Sequence, residues 1–230
     1  MKISIIIPCY NEENTIEKII DKILNQSQFD KEIIVIDDYS TDNTRKILKE
    51  IKDKKISKLL LNESNFGKGY SISKGIENAK GDIILIQDAD LEYDPKDYNK
   101  ILLPIINDYA DVVYGSRFVN SDEKRVLFFW HSLGNKFLTL LSNIFTNLNL
   151  TDMECCYKAF KSEVIKEIKL KENRFGFEPE ITAKIAKKNL RIYEIGISYH
   201  GRTYKDGKKI TWRDGISALR CILIYNLFKN

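Results

Sequence analysis

The chain has 230 residues, 43% hydrophobic and 30% charged, with only 4 Pro and 11 Gly. That length allows one generous domain. The composition excludes a disordered chain, and the net charge of +4 is too small to imply nucleic acid by itself. Cys9, Cys155, Cys156 and Cys221 form neither a zinc spacing nor a disulfide framework, so reduced thiols in a cytosolic protein are expected.

The chain enters a strand at once, Ile3–Pro8, with no signal-peptide pattern before it. Ile16, Ile19, Ile20 and Ile23 then recur at helical spacing within Glu13–Leu24. A strand at Glu32–Asp37, a helix from about Thr44 to Lys52 and a short strand at Lys58–Leu61 follow. The glycines of Asn65–Gly69 precede a helix from about Tyr70 to Ala79. Beyond it come a strand at Ile83–Gln87, a helix beginning near Pro95 and a strand at Asp111–Tyr114. This alternation predicts an α/β fold with a mostly parallel sheet and helices on both faces. The strands are continuous apolar runs, as strands buried on both sides are.

Two of these strands end abruptly in carboxylates, IIVIDD at Asp37-Asp38 and IILIQDAD at Asp88 and Asp90. An unpaired buried charge is costly, but the carboxyl end of a parallel strand faces the ligand crevice. Asp88 and Asp90 there suit a hard divalent cation that leaves positions open for phosphate oxygens, with Glu92 as a possible third ligand. Asp37 or Asp38 can accept hydrogen bonds from a base or ribose, while Thr41 and Asp42 read as a helix cap. Tyr10, between Pro8 and Glu12, can stack on a nucleobase. Lys68 in the NFGKG loop suits phosphate contact, although the loop is not a Walker loop. The pattern reads as an enzyme acting on an activated nucleotide donor.

The second half differs. Phe128–Leu148 repeats Trp130, Leu133, Phe137, Leu140, Leu141, Ile144 and Leu148 at helical intervals, and Phe128, Phe129, Leu138 and Phe145 widen that face. A second apolar segment spans Ile216–Phe228. Either helix can pack on the domain or lie in a membrane interface. No apolar stretch reaches the ~18 residues of a span. Residues 200–213 hold five Lys/Arg against one Asp, which suits an anionic partner.

The chain resembles family 2 glycosyltransferases of GT-A fold, close to the dolichol- and polyprenyl-phosphate mannose or glucose synthases. The resemblance rests on SIIIPCYNEE (Ser4–Glu13), IIVIDDYSTDNT (Ile33–Thr44), NFGKGYSISKGI (Asn65–Ile76), GDIILIQDADLEYDP (Gly81–Pro95) and DVVYGSRF (Asp111–Phe118). TDMECCYKAF (Thr151–Phe160), FGFEPEIT (Phe175–Thr182) and GRTYKDGKKI (Gly201–Ile210) extend it to a bacterial subgroup. It implies a single domain over 1–230, with a nucleotide-sugar half at 1–118 and an acceptor half at 119–230. It implies inversion at the anomeric carbon, a UDP- or GDP-sugar donor and a Mn or Mg ion. Pro8, Tyr10, Glu12, Asp37, Asp38, Lys68 and Ala89 would hold the nucleotide, and Asp88 and Asp90 the metal diphosphate. Glu92 stands where Gln is usual. Arg117 would contact the acceptor phosphate or donor diphosphate, and Arg202 and Lys209 would close over the site.

A phosphate acceptor needs little help from a base, whereas a hydroxyl acceptor needs one. Glu178, Glu180 and Asp152 are the candidates, although acidic residues also suit a helix start beside Pro179. The expected acceptor is a polyprenyl phosphate. The alternatives are a saccharide hydroxyl, including a lipid-linked glycan, then a sugar-nucleotide nucleotidyltransferase and a silent binding module. PCYNEEN lacks the Gly-rich basic loop of the nucleotidyltransferase, and the intact carboxylates argue against the silent module. Many members carry transmembrane helices after the catalytic domain. With none expected up to Asn230, lipid access would rest on interfacial helices at 128–148 and 216–228 or on a membrane-protein partner. The expected location is the cytoplasm, peripheral at the inner face of the cell membrane.

Overall fold

The computed structural model describes residues 1–119, 125–126, 128–203, 207, 209 and 211–228. Lys205, Asp206 and Lys208 of the basic run, and half of the 201–210 motif, lie outside them. The elements are β1 (Lys2–Cys9), α1 (Ile16–Leu24), β2 (Asp30–Asp37), α2 (Thr44–Lys55), β3 (Lys58–Leu61), α3 (Lys68–Asn78) and β4 (Ile83–Ile86). A 3-10 turn (Pro95–Asp97) then leads into α4 (Tyr98–Ile106), β5 (Val112–Ser116), α5 (Phe129–Thr146), β6 (Lys158–Lys161) and α6 (Ser162–Lys166). Last come α7 (Phe177–Ala186), β7 (Ile192–Gly196) and α8 (Trp212–Leu223), which runs into a π-helical turn at Ile224–Phe228.

One seven-stranded sheet takes strands from both halves of the chain, in the order β3-β2-β1-β4-β6-β5-β7. Every neighbouring pair is parallel except those of β6, which runs against β4 and β5. The apolar runs put all four residues of β4 and seven of eight in β1 in the interior. Each fully buried Ile contributes roughly 1.5–3 kcal/mol. The reversed strand was not anticipated, because KAFK is too short to carry a period of its own.

Local chemistry moves the predicted boundaries. α1 starts at Ile16 rather than Glu13, because Glu13 reaches across to accept from the Asn43 N–H at 2.9 Å. α3 starts at Lys68, two residues early. Gly67 turns the chain at φ 106°, and Asp38 accepts the N–H groups of Phe66 at 3.0 Å and Gly67 at 2.7 Å. A carboxylate at a helix N-terminus also matches the helix dipole.

The wide apolar face of α5 divides in two. Leu138, Leu141 and Phe145 pack on the core. Trp130, Leu133, Phe137, Leu140 and Ile144, spaced by three and four, are 47–75% exposed. In the C-terminal segment Ala218, Cys221, Ile222 and Tyr225 are buried, while Trp212, Ile216, Leu227 and Phe228 are exposed. α8 begins four residues before the predicted start, where Asp214 accepts from the Thr211 N–H at 2.7 Å. No helix of the described residues is long and apolar enough to cross a membrane.

α3 lies against β1 and β2 through Gly75, where a Cβ would stand 2.4 Å from Ile6 Cγ2 and 3.0 Å from Ile36 Cδ1. Gly75→Val should therefore destabilise the protein by about 1–3 kcal/mol, read as a lower urea midpoint. An unchanged midpoint would contradict this packing.

Candidate active site

The carboxyl edge of the sheet opens into a cleft of about 1290 Å³. Strand order lays out its floor. β2 delivers Asp38, β1 delivers Pro8, Tyr10 and Glu12, and β4 delivers Asp88, Ala89 and Asp90. Because β6 is reversed, the loop entering it, with Glu154 and Cys156, reaches this same edge, and β5 delivers Arg117 beyond it. Lys68, Glu92, Glu178, Arg202 and Lys209 complete the expected residues that line the cleft.

Three expected residues do not line it. Asp37 is fully buried and accepts from Arg45 Nε at 2.6 Å. Asp152 is also fully buried and holds Arg117 in a two-pronged ion pair, with Nε and Nη2 each at 2.7 Å and the Arg117 N–H at 2.9 Å. Glu180 faces the other way, accepting from the N–H groups of Lys171 at 2.8 Å and Glu172 at 2.7 Å. It fixes the loop whose Asn173 carbonyl accepts from Tyr70 N at 3.0 Å at the start of α3. Asp152 and Glu180 are thus occupied as positioning groups. Asp38 lines the cleft, yet its oxygens already accept from Asn62, Phe66 and Gly67.

The carboxylates at the end of β4 are balanced unequally. Burial would raise the Asp88 carboxyl, but the Lys68 ammonium at 2.7 Å and the Cys156 thiol at 3.2 Å hold it below its ordinary value. Burial and the charges of Asp88 and Glu92 push Asp90 up to about 7, although Arg202 Nη2 donates to it at 2.5 Å. Arg202 spans three acids, reaching Glu12 at 3.2 Å and Glu92 at 3.3 Å as well. Lys209 adds a bond to Glu12 at 2.7 Å. Glu92 also accepts from the Arg202 N–H at 2.9 Å and the Tyr199 hydroxyl at 3.2 Å.

This donor set fits a divalent cation. Asp88 and Asp90 are hard oxygen ligands at one strand end, and burial with the charges of Asp88 and Glu92 raises Asp90, so a cation bound there would favour its ionised form. Among the described residues no three Asp, Glu, His or Cys side chains already converge on a metal-sized point. Diphosphate and water oxygens would fill the remaining positions.

Arg117, raised above its ordinary value despite burial by the charge of Asp152, sits 5.4 Å from the Tyr199 ring centroid. The ion pair with Asp152 fixes the guanidinium from behind, at the lining of the cleft.

The sequence reading missed Glu154, Asn135 and Cys156. For Glu154 an acid inside the apolar run Met153–Tyr157 was the available signal. Burial pushes Glu154 up to about 8, with Glu178 and Asp152 adding to the shift and Lys158 and Arg117 opposing it. Burial likewise pushes Glu178 up to about 7 against Lys68 and Lys158. Glu154 Oε1, Glu178 Oε2 and Asn135 Oδ1 have no hydrogen-bond partner among the described residues.

An acid of ordinary value 4.5 raised to about 8 on folding makes stability fall as pH climbs between those values. Below 4.5 both states are protonated and the effect vanishes. Glu154→Gln, which never ionises, should match the wild type at pH 4.5. It should gain several degrees in Tm by pH 8, at about 2–4 °C per kcal/mol for this size. A gain that does not change between those pH values in a thermal melt would contradict this environment for Glu154.

The Glycosyl transferase family 2 model matches residues 4–169. The chain is 29% identical over 217 residues to a dolichol-phosphate mannosyltransferase of Pyrococcus furiosus, covering 91% of this chain and 61% of that protein. It is 28% identical over 213 residues to an undecaprenyl-phosphate 4-deoxy-4-formamido-L-arabinose transferase of Proteus mirabilis, covering 90% and 62%. The chain thus spans about three fifths of the length of these two relatives. It is 32% identical over 216 residues to a UDP-N-acetylglucosamine–dolichyl-phosphate N-acetylglucosaminyltransferase of Methanococcus voltae, covering 85% and 84%. In fold it matches glucosyl-3-phosphoglycerate synthase of Mycobacterium tuberculosis, crystallised with Mn2+, UDP and glucosyl-3-phosphoglycerate. The TM-score is 0.76 at 18% identity, over 98% of this chain and 80% of that one. With carboxylates, cations and strand order arranged as described, the fold is GT-A and the chain belongs to glycosyl transferase family 2.

Proposed function

We propose that the protein transfers a sugar from a UDP- or GDP-sugar to the phosphate of a polyprenyl phosphate, with inversion, at a membrane surface. The observation that carries this reading is the acceptor corner. Arg117, locked by Asp152, borders a cleft whose lining includes Trp130 and Leu138 of α5 and Trp212 of α8. The exposed stripe of α5 runs from Trp130, in that lining, along the helix to Ile144. An anion site leading to an apolar helix face suits a phosphate on a long hydrocarbon chain. The names of the Pyrococcus and Methanococcus relatives, which specify dolichyl phosphate chemistry, support the same acceptor.

Tyr10 stacks on the base beside Pro8 and Asp38, and Lys68 and Arg202 face the diphosphate. A divalent ion on Asp88 and Asp90, Mn or Mg, supplies Lewis-acid stabilisation of the leaving diphosphate. The Mn2+ and UDP in the structurally similar synthase are consistent with that role. An arriving diphosphate would replace the carboxylates as partner of Arg202, which would leave Asp90 with Asp88 to hold the cation. Arg117 holds the acceptor phosphate, one of whose oxygens attacks the anomeric carbon as the bond to the diphosphate oxygen breaks. A single displacement inverts the centre. The phosphate arrives ionised, so no side chain has to remove a proton.

One observation favours a second reading. Glu178, in the cleft with a carboxyl raised to about 7, has the properties of a general base for a saccharide hydroxyl.

Purified protein with Mn2+ would be given UDP-glucose, UDP-galactose, UDP-GlcNAc and GDP-mannose, with and without a short polyprenyl phosphate. Nucleoside diphosphate release should require lipid and fall at least about 10³-fold in Asp90→Ala, the scale of losing a principal electrostatic stabiliser. At saturating donor Glu178→Gln should keep lipid turnover within about tenfold, since no base is needed. Donor binding without lipid-stimulated release, together with loss of transfer to sugars in Glu178→Gln, would establish the hydroxyl acceptor instead.

Phe137→Glu with Leu140→Glu should abolish co-sedimentation with anionic phospholipid vesicles while preserving turnover of a short acceptor in detergent. Unchanged sedimentation would remove α5 as the docking face.

A further inference from the structure

We propose that Glu154, Glu178 and Asn135 form the subsite that reads the donor sugar, selecting a neutral or amino hexose through its hydrogen-bond donors and excluding a uronic acid. The inference rests on the donor reading above and on a phosphate acceptor, which leaves Glu178 free of the role of base.

Position comes first. Along the cleft edge, β4 places the diphosphate-binding carboxylates next to β6, whose entering loop carries Glu154, and β5 places Arg117 on the far side. Cys156 Sγ lies 3.2 Å from Asp88 Oδ1, which fixes the register of that loop against the diphosphate site. The group between a diphosphate at Asp88 and an acceptor at Arg117 is the sugar being transferred.

Chemistry comes second. The phosphate-facing parts of the cleft are cationic: Lys68, Arg117, Arg202 and Lys209. At Glu154, Glu178 and Asn135 the character changes, and three acceptor oxygens lack partners, Glu154 Oε1, Glu178 Oε2 and Asn135 Oδ1. Glu178 is only 3% exposed, so its orphaned oxygen is not simply satisfied by bulk solvent. Unpaired buried acceptors are costly, and they are matched by a ligand rich in O–H or N–H groups. A second phosphate or a sugar carboxylate offers only acceptor oxygens and would leave these three without a donor.

Construction comes third. Lys158, fully buried, donates to the carbonyls of Met153 and Cys155 on both sides of Glu154, which fixes the loop that presents this carboxyl. Asn135 stands on α5 with its amide donating to Asp152 Oδ1 at 3.4 Å, leaving Oδ1 for a ligand. Sites built to hydrogen-bond a substrate group discriminate strongly against analogues lacking it.

Calorimetry on the full chain with Mn2+ would compare UDP and GDP with UDP-glucose, UDP-GlcNAc, GDP-mannose and UDP-glucuronate. The wild type should bind at least one neutral or amino sugar nucleotide more tightly than its bare nucleotide, and UDP-glucuronate no more tightly than UDP. Glu154→Met should reduce that sugar increment about 10- to 100-fold with bare-nucleotide affinity unchanged. Glu154→Gln, which keeps an acceptor and a donor, should retain it within a few-fold. Asn135→Leu, on a half-exposed helix position, gives a second reading and should also reduce the increment. Equal loss of bare and sugar nucleotide affinity, no loss in either apolar variant, or preferential binding of UDP-glucuronate would overturn the subsite. A wild type that binds bare and sugar nucleotides equally would overturn it while leaving the donor class intact. Failure to bind any nucleotide would overturn the donor reading and the subsite with it.

Discussion

The cleft depends on one topological constraint: a parallel sheet offers only the carboxyl ends of its strands to the ligand side. β1, β2, β4 and β5 obey it and supply Glu12, Asp38, Asp88 with Asp90, and Arg117. β6 runs the other way, so it is the approach to the strand, rather than its exit, that meets the cleft. This reversal inserts an acidic loop between the β4 carboxylates and the β5 arginine. The base, diphosphate, sugar and acceptor positions proposed above then follow the order of strands across the sheet.

The same arrangement concentrates charge in a partly dry space, and the chain offsets it with cations of its own. Lys68 balances Asp88, Asp152 balances Arg117, and Arg202 bridges Glu12, Asp90 and Glu92. The balance is incomplete where the ligand is proposed to act. Asp90, Glu154 and Glu178 all sit above the ordinary carboxyl range, with burial the largest cause for each. Groups arranged at the expense of stability are common at functional sites. Here that expense is borne by three side chains facing one cleft.

Much of this was legible in the sequence. Continuous apolar runs identified β1, β2 and β4, the last two ending in acids, and the family motifs named the cleft residues on those strands. The rest required three dimensions. Glu178 and Glu180 read alike in FEPE, but residues two apart do not share a helix face, so one enters the cleft and the other pins the 171–172 backbone. Asp152 and Arg117 are 35 residues apart, and no local pattern joins them. The apolar face of α5 was visible as a set of residues. Only the neighbours of the helix decide that Leu138, Leu141 and Phe145 pack inward while Trp130, Leu133, Phe137, Leu140 and Ile144 face out.

The most direct measurement of this layout is a crystal structure of the chain with Mn2+ and the sugar nucleotide that binds most tightly. The account predicts an anomalous manganese peak between Asp88, Asp90 and the diphosphate. Arg202 should be turned from Asp90 onto the phosphates, and the sugar ring should lie within hydrogen-bond distance of Glu154 and Glu178. A manganese peak away from Asp88 and Asp90, or a sugar directed toward Glu12 and Asp38, would contradict it.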